Sequence, residues 1–173
     1  GNGEMWMASN THGVVRIQGS GHSLNGYTLS AYSVVNGKLN SNYADCIYKD
    51  IEGRIWVGTG GSGLSLYDAI EDRFLPVHKL WNLPGDAVTS IQSDKKGDLW
   101  LGTNAGLLKL TVPKDLQNVT YRLYTTSDGL QDNLFNRGAS CEAPDGELFF
   151  GGHRGYNSFY PDEQDEQVFS SPV

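Results

Sequence analysis

The sequence predicts an all-β fold, and three observations carry that prediction. The chain of 173 residues contains four similar segments, each centred on one aromatic residue: Trp6, Trp56, Trp100 and Phe149, which are 50, 44 and 49 residues apart. The segments are short, rich in β-branched and aromatic residues, and bounded by glycines. No stretch of eleven residues or more carries apolar side chains at helical spacing.

Each repeat contains an aromatic strand, a glycine-containing turn and a further strand. The aligned segments read GEMWMASNTHGVVRI (3–17), GRIWVGTGGSGLSLYD (53–68), GDLWLGTNAGLLKL (97–110) and GELFFGGHRGYNSFYP (146–161). After the second of these turns, the residues LSLYD alternate between apolar and polar as a strand does. The aromatic segment and the segment after it therefore predict two strands of one hairpin.

A second shared piece stands before three of the aromatics: ADCIYKDIEG, TSIQSDKKG and GASCEAPDG. It predicts a strand that enters a tight turn, in which an Asp side chain caps the turn and a glycine takes the positive φ. The aspartates are Asp50, Asp94 and Asp145, and the glycines are Gly53, Gly97 and Gly146. The β-rich runs YTLSAYSV, DRFLPVHKL and VTYRLYTT follow the first three aromatics and predict a fourth strand.

Four-stranded units that recur every 44 to 50 residues predict a β-propeller, in which each aromatic anchor fills the space between neighbouring blades. The first unit lacks its innermost strand and the last stops after its third, so roughly three and a half blades are expected. The chain divides into a partial blade at 1–35, blades at 36–79 and 80–126, a partial closing blade at 127–161, and an acidic linker at 162–173.

One glycine motif needs a separate interpretation. Gly58-x-Gly60-x-x-Gly63 has the spacing of a dinucleotide-binding loop, but such a loop must open a helix whose N-terminus holds the phosphates. The equivalent loops in the other repeats read ASNTHGV, GTNAGL and GGHRGY, and they keep only the last glycine. We therefore interpret the motif as hairpin geometry and expect no cofactor.

Two segments, SDKKGDLWLGTNAGLLKL and KDIEGRIWVGTGGSGLSLYD, resemble the two-component regulator propeller repeat. They share its Asp-x-x-Gly turn, its Leu/Ile-Trp and Gly-Thr pairs, and a following Gly-Leu. LWNLPGDAVTSI is similar to the connector between blades of that family. The stretch TTSDGLQDNLFNRGASCEAPDGELFFGGHRGYNSFYPDE resembles its closing repeat, in which Phe-Phe-Gly-Gly replaces the tryptophan.

This resemblance implies a function. It identifies the chain as the C-terminal part of a propeller, presumed seven-bladed, in the periplasmic sensor region of a Bacteroidetes hybrid two-component histidine kinase and response regulator. An immunoglobulin-like domain would follow the Phe-x-Pro exit. The family relays oligosaccharide binding to a cytoplasmic kinase, so this chain is expected to be a sensor fragment and not an enzyme.

Composition excludes several classes of function. A net charge of −7 without a basic run argues against binding to nucleic acid or anionic lipid, and no apolar stretch reaches membrane-spanning length. Cys46 and Cys141 are too few for a disulfide scaffold and are expected to be small buried residues. His12, His78 and His153 lack the spacing of metal ligands, so no metal site is expected.

Candidate ligand-binding residues lie in loops that should share one face of the propeller. These are the loops between the second and third strands and the links between blades, and loops on a rigid scaffold commonly carry recognition. Planar amides, guanidinium groups and aromatic rings are suited to sugar hydroxyls and ring faces. The candidates are Asn42, Tyr43, Trp81, Asn82, Asn136, Arg137, His153 and Arg154.

Structural roles remain open for the same residues. Asn also favours turns, and Trp81 is able to pack under its own loop. Arg137 and Arg154 are as well placed in sequence to pair with Asp132 and Glu142 as to bind a ligand.

Three functions follow from these observations. The first is an oligosaccharide sensor fragment. The second is a structural or dimerisation spacer without its own ligand site, and the third is a propeller glycosidase or lyase, for which no converging carboxylates are evident. Because a cut propeller exposes two blade faces, we also expect two copies to associate as a homodimer.

Overall fold

The structure of the protein is a computed structural model, and it describes residues 3–19 and 26–163. Within those ranges the chain forms fourteen strands arranged in four antiparallel sheets, and the only helices are a few short turns. The predicted all-β fold is therefore confirmed. The linker predicted at 162–173 falls almost wholly outside the described residues.

Each sheet is a meander of consecutive strands. The first sheet contains β1 (Gly3–Ser9), β2 (Gly13–Gly19) and β3 (Tyr27–Tyr32). The second contains β4 (Ala44–Lys49), β5 (Ile55–Thr59), β6 (Gly63–Asp68) and β7 (Arg73–Leu75). The third contains β8 (Val88–Ser93), β9 (Leu99–Thr103), β10 (Leu107–Thr111) and β11 (Thr120–Tyr124). The fourth contains β12 (Phe135–Glu142), β13 (Leu148–Gly152) and β14 (Gly155–Phe159).

The sheets are blades that converge at their innermost strands. Strands β4, β8 and β12 contact one another, and β1 also lies against β4. We call the place where β4, β8 and β12 meet the hub. This radial contact between first strands is the arrangement of a propeller.

A buried carboxylate joins each complete blade's first turn to its tryptophan. Asp50 accepts hydrogen bonds from the backbone N–H groups of Glu52 (3.0 Å) and Arg54 (2.8 Å) and from the indole N–H of Trp56 (2.7 Å). Asp94 makes the same kind of contact with the indole of Trp100, at 3.0 Å. The Asp therefore caps the turn, as predicted, and also satisfies the only polar group of a fully buried tryptophan.

The last blade lacks both members of this pair. In the turn of this blade, the backbone N–H of Ala143 donates to Glu147 O, and the carbonyl of Ala143 accepts from the N–H of Gly146. Phe149 stands at the tryptophan's position. Because phenylalanine has no N–H to satisfy, the buried carboxylate is not needed there.

Three apolar clusters fill the spaces between neighbouring blades. Trp56 and Trp100 are fully buried in these clusters, as expected of anchors, and Trp6 is half-buried. In the last blade Phe149 lies on the side of the sheet that corresponds to the tryptophans, away from the third blade, and Phe150 is the residue buried against the third blade. Side chains alternate across a strand, so only one of two adjacent phenylalanines is able to face the neighbouring blade.

The run DRFLPVHKL is only partly a strand. Strand β7 ends at Leu75, and the helix α1 (Val77–Leu80) follows directly after Pro76. Proline cannot donate to a strand ladder, whereas its fixed φ is compatible with a helix start. Val77 packs in a core cluster. Because a buried apolar residue therefore follows Pro76, the run DRFLPVHKL resembled one longer strand.

The motif Gly58-x-Gly60-x-x-Gly63 is a hairpin, as predicted, since β6 begins at Gly63 and no helix follows. Each glycine is required by a close approach. A Cβ at Gly58 would lie 2.5 Å from the sulfur of Cys46, and one at Gly63, which has φ +69°, would overlap the ring of His78. The spacing therefore reflects packing and not a phosphate site.

The two cysteines differ. Burial raises the pKa of the Cys46 thiol to about 12, and its sulfur packs against the backbone of Val88. Cys141 is exposed, so the expectation that both are buried was wrong for it. It lies opposite Phe149 in the fourth sheet, on the side that no blade among the described residues covers.

Candidate functional site

The loops of one face form a continuous surface, which we call the loop face. The loop between β5 and β6 bonds to both flanking links: Gly60 N–H donates to Tyr43 O (3.0 Å), and Gly63 N–H donates to Asp86 O (2.8 Å). On the opposite face, the turns that follow the innermost strands meet the outer loops, as Arg54 shows by donating to Pro113 O (3.3 Å). The structure therefore places the two kinds of loop together, as the strand order requires.

The innermost strands are irregular where they reach the loop face. Strand β4 changes register between Ala44 and Cys46, β8 does so between Val88 and Ser90, and β12 does so between Phe135 and Ser140. A β-bulge redirects a side chain out of the regular pleat, and bulges are frequent beside functional sites. Here the bulges place Asp45 and Arg137 near each other.

Asp45 and Arg137 form an ion pair across the hub. The guanidinium Nε of Arg137 lies 3.1 Å from Oδ2 of Asp45, and Nη1 reaches Oδ1 of Asn10 at 3.5 Å. The Asp45 side chain is 1% exposed and the Arg137 side chain is 56% exposed. We call Asn10, Asp45, Gly60 and Arg137 the hub mouth.

The carboxylate of Asp45 is held in an environment that disfavours its charge. Burial raises the pKa of Asp45, and the neighbouring Arg137 guanidinium opposes that shift. Neither oxygen has a hydrogen-bond partner of good geometry among the described residues. Gly60 leaves the necessary room, because a Cβ there would lie 2.9 Å from Asp45 Oδ2. Arg137 is thus positioned by a buried acid while the rest of its guanidinium remains accessible to solvent.

A groove of about 270 Å³ lies beside the link between the second and third blades. It presents a hydroxyl, an ammonium, an amide and a carboxylate group, contributed by Ser62, Lys79, Asn82 and Asp86. Its full lining is Gly61, Ser62, His78, Lys79, Asn82, Leu83, Gly85 and Asp86. We call it the link groove. Its volume is near the lower end of known ligand sites, roughly 300 to 1,000 Å³, which is small enough for one or two sugar rings.

Hydrogen bonds fix the walls of the link groove. His78 is buried, and its Nε2 donates to Gly85 O at 2.8 Å, which closes the link on itself. Asp86 accepts from the Asn104 amide at 2.7 Å, and the same Asn104 accepts from the N–H groups of Asp86 and Ala87. The groove is therefore preformed by contacts that a ligand does not have to make.

The predicted residues of the first two links have different roles. Asn42 is structural, because its side chain accepts from the N–H of Val34 at 2.9 Å. Tyr43 is exposed at the rim of the loop face. Trp81 packs against Trp56, with ring centroids 6.0 Å apart, and Asn82 is exposed in a left-handed conformation (φ 50°). Only Asn82 of these four lines the link groove.

The predicted residues of the last blade lie around the hub mouth and its rim. Asn136 donates to Gly152 O at 3.1 Å, and His153 is exposed. Arg154 pairs with Asp132 at 3.7 Å, which is one of the pairings left open by the sequence. Arg137 pairs with Asp45 instead of Asp132 or Glu142.

The sequence reasoning missed Asp45, Ser62, Lys79 and Asp86. Asp45 stands inside an apolar strand, where alternation assigns it to one side of the sheet and gives no sign of a bulge. The one available signal was its charge, because an acid within ADCIYKD needs a partner if it is buried.

Neither a metal centre nor a membrane segment is found in the described part of the chain. Across 3–19 and 26–163, no three His, Cys, Asp or Glu side chains are grouped to hold a metal ion. No helix in those ranges has the length and apolarity needed to cross a bilayer.

Residues 38–61 and 82–105 match the family described as two component regulator propeller. These two segments, 48 of the 173 residues, are similar to the repeat of that family. The matched segments run from each link, through the innermost strand and the Asp-capped turn, to the aromatic strand and the loop after it. They include Asp45, Gly60 and Asn82 of the loop face.

Two relatives extend this comparison. Histidine kinase P4 of Formosa agariphila is 35% identical over 78 residues, which are 45% of this chain and 5% of that protein. The crystal structure of an extracellular domain from B. thetaiotaomicron, assigned to a hybrid two component system, superposes with a TM-score of 0.61 at 18% identity. That superposition covers 92% of this chain and 26% of the solved chain, and it supports the propeller fold. This chain thus spans a small part of both relatives.

Proposed function

We propose that this chain is part of the extracytoplasmic sensor region of a two-component signalling protein and that its loop face contacts an oligosaccharide. The repeats and the relatives support the signalling role. The observation that carries the ligand proposal is the link groove together with the hub mouth, which form a preformed polar surface on one face of a rigid scaffold.

The chemistry of the link groove favours a polyhydroxylated ligand. A sugar hydroxyl donates and accepts at once, so its site needs both kinds of group. Lys79 donates, Asp86 accepts, and Ser62 and Asn82 do both. An apolar ligand would leave these groups without partners, which costs about 1–3 kcal/mol for each buried one.

Arg137 would provide a second contact at the hub mouth. Asp45 and Asn10 engage Nε and Nη1, and the exposed remainder of the guanidinium is free to donate to a hydroxyl or carboxylate oxygen. Because Asp45 already holds the guanidinium in one orientation, less side-chain entropy is lost when a ligand binds.

The role of this chain in signalling would be recognition alone. Kinase chemistry requires the parts of the parent protein that lie outside these blades, and this chain would pass on the bound state through its neighbours. Location outside the cytoplasm is proposed from the extracellular relative, and the periplasm is the compartment that the family resemblance implies.

Calorimetric titration against a panel of oligosaccharides tests the proposal. Asn82→Gly removes the amide while keeping a residue that tolerates positive φ, and we expect it to weaken binding about tenfold, as does loss of one buried hydrogen bond. Asn118→Gly is the matched control, because Asn118 has nearly the same backbone conformation (φ 52°) and lies away from the groove. Arg137→Lys should weaken binding similarly, with Arg122→Lys on an outer strand as its control.

A panel without any binding member would refute the sensor proposal. Equal losses in Asn82→Gly and Asn118→Gly would show that the link groove is not the site.

A second candidate function, a structural or dimerisation module, is favoured by one observation. The outward side of the first sheet is a large apolar surface that no part of the described chain covers.

A further inference from the structure

The charge balance of the loop face differs from that of the chain as a whole. The chain has a net charge of −7. In the described loops of this face, and in the bulged strand ends beside them, acids and cations are equal in number. The acids are Asp45, Asp86, Asp128 and Asp132, and the cations are Lys38, Lys79, Arg137 and Arg154. The excess of negative charge therefore lies on the other surfaces of the molecule.

Two of these acids are engaged at the hub mouth and the link groove. The Asp45 side chain is 1% exposed and is paired with Arg137. One oxygen of Asp86 accepts from the amide of Asn104 at 2.7 Å. Only the remaining oxygen of Asp86 is therefore available to accept a ligand hydroxyl.

The other two acids hold the link between the third and fourth blades. Asp128 accepts from the backbone N–H of Thr125 at 2.8 Å, and Asp132 accepts from the backbone N–H of Asn133 at 2.7 Å. A carboxylate bound by backbone N–H groups has part of its charge compensated within the protein. The acids of the loop face thus serve its own turns and links.

The cations of this face project into solvent. Lys38 is the exception, because it pairs with Asp72 beside strand β7. Lys79 is exposed, and among the described residues no acid lies within ion-pair distance of it. The side chains of Arg137 and Arg154 are 56% and 80% exposed, although each has an acid partner. The loop face therefore offers a ligand more cationic donors than anionic acceptors.

Lys79 and Arg137 lie on the two sides of one loop. Gly61 and Ser62, from the loop between β5 and β6, line the link groove together with Lys79. On the other side of that loop, a Cβ at Gly60 would lie 3.5 Å from Nη2 of Arg137. Since consecutive Cα atoms are about 3.8 Å apart, a ligand of a few sugar rings is long enough to contact both cations.

On the basis that the loop face binds an oligosaccharide, as proposed above, we propose that this oligosaccharide is acidic and that its carboxylate or sulfate groups contact Lys79 and Arg137. Hydrogen bonds from an ammonium or guanidinium group to an anionic oxygen are roughly twice as strong as those between neutral groups. A neutral sugar would leave both cations without a counter-charge.

Calorimetric titration with two matched pairs of saccharides tests this inference. The first pair is a galacturonate tetrasaccharide and its methyl ester, and the second is a sulfated chondroitin tetrasaccharide and its desulfated form. The pairs distinguish a carboxylate from a sulfate as the source of the charge. In at least one pair we expect the more anionic member to bind about tenfold more tightly. That advantage should shrink when NaCl is raised from about 0.1 M to about 1 M, which shortens the Debye length from about 10 Å to about 3 Å.

Lys79→Gln removes the charge in the link groove while keeping a long polar side chain. It should weaken binding of the anionic member about fivefold and leave binding of its less anionic counterpart unchanged. Lys49→Gln is the matched control, because Lys49 is exposed at the end of β4 on the opposite face. It should change neither affinity.

The outcomes separate this inference from the proposed function. If the anionic members bind no better than their counterparts, or do not bind, the inference is overturned, while a neutral oligosaccharide that binds at the link groove would leave the sensor proposal standing. Equal losses in Lys79→Gln and Lys49→Gln would overturn the contact with Lys79, because only the overall charge would then matter. Absence of binding by every saccharide would refute the proposed function as well.

Discussion

The buried bond between Asp50 and the indole of Trp56 gives the sharpest test of how the blades are held together. Asp50→Ala removes a carboxylate that accepts from one indole N–H and two backbone N–H groups of the turn. The indole N–H of a fully buried tryptophan then has no partner, which costs about 1–3 kcal/mol. The two turn bonds add about 1 kcal/mol each, so the expected loss of unfolding free energy is about 3–5 kcal/mol.

The last blade shows how the free-energy cost of an unpaired indole N–H is avoided. It has Ala143 and Phe149 at the two positions, so Asp50→Ala with Trp56→Phe reproduces its combination within the second blade. The double variant no longer carries an unpaired indole N–H. Its loss of stability should therefore be about 1–2 kcal/mol smaller than the sum of the two single losses.

Urea denaturation followed by far-ultraviolet circular dichroism measures these free energies. Asp68 caps its own turn through the N–H of Ile70 at 2.8 Å, so Asp68→Ala combined with Trp56→Phe is the control pair and should be additive within about 0.5 kcal/mol. Additivity of Asp50→Ala and Trp56→Phe would refute the reasoning, because the carboxylate would then be only a turn cap.

Three further predictions concern charge and backbone. Asp45→Asn should change unfolding free energy by no more than about 1 kcal/mol at neutral pH, whereas Arg137→Ala should cost about 2 kcal/mol, since only the latter leaves a buried charge unpaired. Because the pKa of Asp45 is raised in the folded state, the native chain binds more protons than the unfolded one above about pH 4, so wild type should gain stability relative to Asp45→Asn as pH falls through that window. The pKa of Asp72 is lowered to about 2, mainly by its hydrogen bond from Lys38 and also by those from Tyr32 and Tyr67. Its stabilisation is present above about pH 4 and is lost as pH falls toward 2, so Asp72→Asn should cost about 1 kcal/mol at neutral pH, discounted for partial exposure, and nothing at the acid limit. An acid titration of stability for both aspartate variants that parallels wild type would contradict these assignments. Gly63→Ala should cost about 3 kcal/mol or more, because it combines a positive φ with overlap on the His78 ring, while Gly37→Ala, with similar φ and open space, should cost about 1 kcal/mol. Equal costs by urea denaturation would remove the packing explanation of the glycine motif.

The features that local chemistry determines were predictable from the sequence. A tryptophan between glycines, with an aspartate six residues before it, defines both complete blades, because turn capping and indole pairing depend only on nearby residues. The hairpin from Gly58 to Gly63 was predicted by comparison with the equivalent loops of the other repeats. The repeat aligns Phe149 with the tryptophans, whereas the burial of the adjacent Phe150 against the third blade was visible only in the structure.

Features that depend on contacts between distant segments were not predictable. Arg137 pairs with an acid ninety-two positions away because two bulges meet at the hub, and the sequence marks only one of them, through Gly138 with its positive φ. Trp81 appeared suited to a sugar ring, yet the short helix before it turns its side chain onto Trp56. The link groove likewise depends on how His78 and Asn104 fold the link back, which only the assembled blades define.

Chemical-shift mapping of the backbone amides during an oligosaccharide titration measures ligand contact with the loop face most directly. The proposal predicts saturable shifts that are confined to the loop-face segments. These segments are 9–12, 42–45, 60–63, 79–87, 131–137 and 152–154. Saturable shifts centred on the Asp-capped turns of the opposite face, at 50–53, 94–97 and 143–146, would contradict it.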